Sequence, residues 1–253
     1  MSLFWHLWLR EFRSRYLGSM SGLLWAFVHP ALQLALYATV FQQIFKARVV
    51  GAEAHGFVAF VGVGFWAWVL FAEASSRATT AVLDQAALIG KVKLSTQMLV
   101  TASVCATAAV HLLGYAIALV ILAATGTAMH WQGALLVPVV MAMLMLLTLG
   151  FAYFLSAVQV FIRDLAQIIS QVLAFWFFLT PVVYSREMLP AFAQHWMAWN
   201  PLTYYPERLR QLLLEGQTAL TVADAYALLI ALAVFAIGSL AFRRLQRHFE
   251  DFL

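Results

Sequence analysis

The sequence predicts an all-α integral membrane protein: six transmembrane helices, an amphipathic interfacial helix ahead of the first, and short re-entrant helices before the last. Three observations predict it. Hydrophobic residues make up 64% of the 253 positions and charged ones only 10%, whereas soluble domains run near a quarter charged, so this chain lacks the polar residues to cover a globule. Uncharged stretches of the roughly 20 residues needed to cross a bilayer recur along it. The few basic residues gather near the ends of those stretches, as the positive-inside rule requires of one membrane face.

The spans are read at residues 23–45, 57–83, 97–124, 133–162, 165–184 and 219–242. The second carries Glu73 and Arg77, four apart on one helical face and in the favourable acid-before-base order. With six crossings both termini share a side. Arg10, Arg13 and Arg15 precede the first span and Arg243, Arg244 and Arg247 follow the last, while Lys91, Lys93 and Arg163 fall in connections on that same side. That side is therefore read as cytoplasmic. Lys46, Arg48, Arg186, Arg208 and Arg210 are read as loop cations of the opposite side, in the company of Glu53, Glu187, Glu207 and Glu215.

Three segments are not simple spans. Residues 3–16, wound as a helix, put Phe4, Trp5, Trp8, Phe12 and Tyr16 on one side and Arg10, Arg13 and Ser14 on the other. A basic amphipathic helix of this kind lies in the headgroup region. It serves either as an anchor or as a docking element for a cytoplasmic partner. Residues 84–96 alternate Asp84, Lys91 and Lys93 with Leu88, Ile89, Val92 and Leu94, a pattern that suits a short helix lying across the inner surface. In residues 190–215, Pro190 and Pro206 each suit a helix start, Asn200-Pro201 breaks the chain between them, and Gly216 suits a C-terminal cap. Two short re-entrant helices result. Trp196, Trp199, Tyr204 and Tyr205 cluster at the break, either as an aromatic belt at the headgroups or as a stacking surface for sugar.

Motifs for chemistry are missing. The sequence holds no P-loop, no His-Glu-x-x-His and no Gly-x-Ser-x-Gly, and Gly51 to Gly56 runs into Phe57-Val58 instead of Lys-Ser/Thr. The one cysteine, Cys105, excludes an intrachain disulfide framework. The apolar run after the first basic residues is too long for a signal peptide and lacks a cleavage site. The net charge of +4 reflects few acids and basic residues massed on one membrane face, and nucleic acid is not the expected partner. His111 lies within the third span with no carboxylate beside it in sequence, so it is read as packed or pore-lining in preference to a proton relay. Asp224, near the start of the last span, is read as capping that helix's first turn.

Three blocks, in order, carry a family resemblance. Ser14-Arg15-Tyr16-Leu17-Gly18-Ser19 leads into Gly22-Leu23-Leu24-Trp25-Ala26-Phe27-Val28-His29-Pro30 and Tyr37-Ala38-Thr39-Val40-Phe41. Phe161-Ile162-Arg163-Asp164-Leu165 follows the fourth span. Thr180-Pro181-Val182-Val183-Tyr184-Ser185 ends the fifth, with Trp199-Asn200-Pro201-Leu202 beyond. Over nearly its whole length the chain resembles the membrane subunit of ABC-2 type polysaccharide exporters, which move O-antigen, capsular polysaccharide or teichoic acid.

The resemblance implies a homodimer in the bacterial inner membrane, a channel between the subunits, and two copies of a separate ATPase that binds ATP and Mg, leaving this chain with no cofactor and no catalytic residue. It implies that residues 84–96, with Asp84, Leu88, Lys91 and Lys93, couple to the ATPase. The cargo would be a lipid-linked glycan, drawn in from the inner leaflet past Arg10, Arg13 and Arg15. Aromatic rings stack on sugars while permitting sliding, which makes Trp25, Tyr37, Trp66, Trp68, Tyr153, Trp176 and Tyr184 candidate pore contacts, together with Trp196, Trp199 and Tyr204. The Arg163-Asp164 and Thr180-Pro181 blocks favour O-antigen over capsule. An ABC-2 permease for a drug or another lipid, and a membrane glycosyl- or acyltransferase, are the alternatives; the latter lacks a paired acid/base motif.

Overall fold

The computed structural model describes residues 3–14, 22–44, 56–88 and 95–252, and all regular structure among them is helical. The chain runs as α1 (Leu3–Phe12), α2 (Gly22–Ala38, continued by a π-helical turn over Thr39–Ile44), α3 (Phe57–Thr80) and a 3₁₀ turn at Leu83–Leu88. Then follow α4 (Thr96–Ala124), α5 (Trp131–Ala134), α6 (Val137–Phe161) and α7 (Leu165–Phe178). After a 3₁₀ turn at Arg186–Met188 come α8 (Ala191–Ala198), α9 (Tyr204–Leu213) and α10 (Val222–Leu245), the last tightening into a 3₁₀ turn at Gln246–Asp251.

Among the described residues five helices are long and apolar enough to cross a membrane: Leu24–Phe41, Phe57–Ala86, Thr96–Ala124, Trp131–Phe161 and Val222–Asp251. The expected span over 165–184 differs. Its helix, α7, ends at Phe178 after 14 residues, about 21 Å of rise against a hydrocarbon core of about 30 Å. The chain then turns through Leu179–Ser185, because Pro181 withholds an N–H and disfavours helix at the residue before it.

α3 is the most buried of the five long helices and packs against α2, α4, α6, α7 and α9. An all-round apolar helix belongs in such a position. The main core joins Phe65, Leu70 and Phe71 of α3 to Leu144 and Leu147 of α6 and Leu209 and Leu212 of α9. A second cluster, with Phe242 and Phe249, fills the space where α10 meets α3, α4 and α6. Three buried threonine hydroxyls are satisfied within their own helices: Thr79 donates to the carbonyl of Ser75, Thr107 to that of Ser103 and Thr148 to that of Leu144. This back-bonding lets polar side chains sit where no water competes.

The α6–α10 pair depends on two glycines. A Cβ added at Gly238 would stand 2.0 Å from the carbonyl oxygen of Gly150, and one at Gly150 would stand 2.6 Å from the backbone of Val234 and Phe235. Backbones in contact are the usual means of tight helix association in lipid, where apolar burial gives little preference for protein over acyl chains. Gly238→Leu should therefore part the two helices at an overpacking cost of about 1–3 kcal/mol. A lowered midpoint in thermal unfolding of the detergent-solubilised protein is expected, with Leu240→Ala, on an exposed site of the same helix, close to wild type.

Candidate functional site

Residues read from the sequence as loop cations turn out to hold the structure together. Arg208 and Arg210 are buried. Helix α9 projects Arg210 between α3 and the turn after α7. There its Nε donates to the carbonyl of Phe60 at 2.8 Å, Nη1 to that of Pro181 at 2.7 Å, and Nη2 to that of Val182. The guanidinium also lies 3.6 Å from the centroid of the Phe60 ring, a cation–π contact strengthened by desolvation. Gly64 admits this arrangement, since a Cβ there would meet Pro206 at 2.7 Å and Arg210 at 3.0 Å. Burial pulls the Arg210 pKa down to about 9 against the support of Glu207 and Glu215, which still leaves it charged at neutral pH.

Arg208 turns the other way. Its Nε lies 2.8 Å from Asp224 Oδ1, and its Nη atoms donate to the carbonyls of Gln217 and Ala219. Asp224 also accepts from the Tyr204 hydroxyl at 2.5 Å and closes a capping box with Thr221, so the expected cap is present and is tied to α9 as well. Gly216, at φ 71°, takes the left-handed backbone that carries the chain out of α9.

The two late sequence blocks meet in space. Asn200 donates to the carbonyl of Leu179 at 2.9 Å and to the Thr180 hydroxyl at 3.0 Å, while its Oδ1 accepts from Trp176 Nε1 and from the Leu202 N–H. One amide side chain thus satisfies the end of α7 and fixes the turn between α8 and α9. Phe60 and Arg210 also line a cleft of about 350 Å³ that mixes Arg186, Glu187, Glu207 and Glu215. No group of three or more His, Cys, Asp or Glu among the described residues is arranged to hold a metal ion.

The cavity with the most telling lining lies between α2, α3 and α7 and measures about 430 Å³. One part is aromatic, with Tyr37, Phe65, Trp68 and Phe177; the other is polar, with His29, Gln33, Glu73, Ser76 and Ser170. Tyr37 stacks on Phe177 at 5.1 Å with 21° between the planes, and Trp68 meets the same ring edge-on at 5.7 Å. Glu73 is clasped from both sides. Arg77 Nε donates to its Oε1 at 2.6 Å, and His111 Nε2 stands 2.8 Å from its Oε2. His111 is thus buried beside a carboxylate, which adjacency in the sequence concealed: the partner comes from α3, 38 residues away. Its Nδ1 has no partner among the described residues.

The other sequence-derived candidates are scattered. Trp66 faces the opposite side of α3, in an apolar groove of about 540 Å³ with Phe27, Leu34 and Gly114. Tyr153 shares a 2.7 Å hydrogen bond with Thr101 and packs on Phe235 and Phe242. Trp176 sits edge-on to Phe71 and Phe151, and the Tyr184 hydroxyl donates to the carbonyl of Phe178. Trp25, Trp196 and Trp199 are exposed, and Tyr204 is held by Asp224. Arg10 and Arg13 lie exposed at the end of α1, which docks through Leu7 on Leu99 and Ala102 of α4. Asp84 accepts from the Thr80 hydroxyl at 2.9 Å, and Leu88 ends the 3₁₀ turn. Arg15, Lys91 and Lys93, and the blocks at 15–21 and 89–94, lie outside the described residues.

A bundle of five long apolar helices with a cavity lined by aromatic, aliphatic and polar side chains has the build of a polytopic membrane protein. Residues 2–214 match the family described as ABC-2 type transporter, and the chain belongs to that family. It is 33% identical to the O-antigen export system permease protein RfbA of Myxococcus xanthus over 180 residues, covering 71% of this chain and 67% of the relative. A protein of the same name from Klebsiella pneumoniae is 22% identical over 96% of this chain and 92% of its own length. The polysialic acid transport protein KpsM of Escherichia coli is 20% identical over 94% and 91% respectively.

Replacing Arg210 by Met keeps its length, removes the bond to the Phe60 carbonyl and strands the turn carbonyls of Pro181 and Val182. This should destabilise the fold by on the order of 3 kcal/mol, read as a thermal midpoint well below wild type in detergent. Arg210→Lys, which cannot serve all three carbonyls in their fixed directions, should recover only part of the loss.

Proposed function

We propose that this chain is the channel-forming subunit of an ATP-driven exporter of lipid-linked polysaccharide, O-antigen ahead of capsular polysaccharide. The observation that carries the reading is the cavity between α2, α3 and α7. It combines aromatic side chains, of which Tyr37 is half-buried and Phe65, Trp68 and Phe177 are buried, with hydrogen-bonding groups for sugar hydroxyls, in a family of transporters whose relatives here are named for O-antigen export and polysialic acid transport. Aromatic faces tolerate sliding, whereas a lock of directional bonds would hold the polymer still. A drug or free-lipid permease would have less use for the polar half of that wall.

In this reading two copies face one another in the bacterial inner membrane, α7 and the turn after it complete a sixth crossing, and both termini are cytoplasmic. Residues 3–16 lie in the inner interface, where Arg10, Arg13 and Arg15 attract the anionic linkage of the cargo. Helices α8 and α9 are re-entrant from the outer side. Two ATPase subunits bind ATP and Mg and push on residues 84–96, the movement being passed to α3 and α4, which that segment joins.

Two experiments follow. In a Cys105→Ser background, single cysteines at 84 and 250 should react with a membrane-impermeant thiol reagent only after the cells are opened, and one at 196 in intact spheroplasts; labelling of all three from one side would refute the six-crossing topology. Lys91→Glu with Lys93→Glu should at least halve both export and co-purification of the ATPase. Wild-type levels of both would remove residues 84–96 from the coupling role.

A further inference from the structure

Helix α10 buries one narrow face, at Ala227, Ala231, Gly238 and Phe242. On the other side Tyr226, Leu229, Ile230, Ile237 and Leu240 are exposed, and Arg244, also exposed, continues the same line. Steps of three, four and seven residues keep these side chains on one helical face. From Tyr226 to Arg244 the helix rises about 27 Å, close to the thickness of a bilayer's hydrocarbon core. The stripe thus ends in an aromatic ring at one boundary and arginine at the other, the residue types that favour membrane–water interfaces.

The arginine end is organised. Arg243 and Arg244 sit in the last turn of α10, and Arg247 and His248 in the 3₁₀ turn that follows, all four exposed. Phe249 anchors that turn: it is buried, packs on Phe242 at 5.5 Å and meets Phe161 of α6 at 6.1 Å, while Phe252 meets Phe161 at 4.8 Å. Glu250 and Asp251 close the turn, and Arg163 and Asp164 follow Phe161 by two and three residues on α6's side. Among the described residues no carboxylate comes within ion-pair distance of Arg243, Arg244 or Arg247.

The dipole at the C-terminus of α10 favours cations in its last turn. It does not account for Arg247 beyond the helix end, nor for the bilayer-length stripe that leads to the group. A second copy docked along this face in the same membrane sense would bring its own arginines to the same level, like charge against like. An anionic phospholipid complements both parts. Its chains match the apolar stripe, and its phosphate oxygens match the paired donors of guanidinium groups.

We propose that this face of α10 is a binding site for an anionic phospholipid, with acyl chains along Ile237 and Leu240 and the phosphate held by Arg243, Arg244 and Arg247. In the topology proposed above the lipid belongs to the inner leaflet. The site does not depend on what the transporter carries.

The experiment adds phosphatidylglycerol or phosphatidylcholine, with the same acyl chains, to the delipidated full chain in detergent and reads the thermal midpoint. Phosphatidylglycerol should raise it by about 3 °C or more beyond phosphatidylcholine. Arg244→Gln with Arg247→Gln should lose at least about two-thirds of that difference, whereas Arg186→Gln, a cation outside this face, should keep it. If the double variant does not fold, the wild type decides: phosphatidylglycerol with a photoreactive diazirine near its glycerol should cross-link within residues 237–248, located by mass spectrometry. Equal shifts from the two lipids, an undiminished phosphatidylglycerol shift in the double variant, or cross-links confined to other helices would overturn the proposal. Displacement of the cross-link by a lipid-linked glycan would overturn it in favour of a cargo site. Loss of the partner ATPase from a double variant that keeps its phosphatidylglycerol shift would make the patch a protein-docking surface instead.

Discussion

A charge or a backbone polar group inside an apolar bundle must find its partner within the protein, because no water is there to supply one. That constraint organises this structure. Arg210 meets it by spending its guanidinium on three carbonyls, and in doing so joins α9, α3 and the turn after α7. Asn200 does the same for the end of α7 and the break between α8 and α9. Without these two side chains the turn at Leu179–Ser185 would carry unsatisfied carbonyls, and α7 would be held to α3 by ring contacts alone, Phe177 on Phe65 and Trp68 and Trp176 on Phe71.

The cavity is a consequence. Because the turn after α7 is pinned to α9, Phe177 is held where it can stack on Tyr37, and α2 closes the remaining side. α3 is buried against so many neighbours that it can carry Glu73 without losing its place, since His111 on α4 and Arg77 one turn on absorb the charge. The wall is therefore built from three helices.

Much of this was legible in the sequence. Long uncharged runs reveal membrane-crossing helices because lipid imposes length and apolarity together. The Pro190, Asn200-Pro201, Pro206 and Gly216 punctuation marked two short helices, and they form at Ala191–Ala198 and Tyr204–Leu213. Tyr37 and Trp68, picked as aromatic candidates, come together in one cavity. What stayed hidden was direction. Arg208 and Arg210 read as surface cations, since a sequence counts charge but does not tell what covers each side of a helix; α9 is covered on two sides, by α3 and the turn after α7 at Arg210 and by the chain leading into α10 at Arg208. Trp66 and Trp68 are two residues apart on one helix and thus face different spaces. The Glu73–His111 pair joins two helices at a separation no local pattern carries.

The central claim, that the space between α2, α3 and α7 is a wall of the transport path, is tested most directly by filling it. In a Cys105→Ser background, Gln33→Cys places a thiol in this cavity and Ala118→Cys places one in the apolar groove on the other side of α3. Each purified complex is treated with a bulky uncharged maleimide, its extent of labelling measured by mass spectrometry, and glycan-stimulated ATP hydrolysis recorded. Loss of stimulation on modification at position 33, with retention at equal labelling of position 118, is the predicted result. Full stimulation with position 33 fully modified would contradict the account.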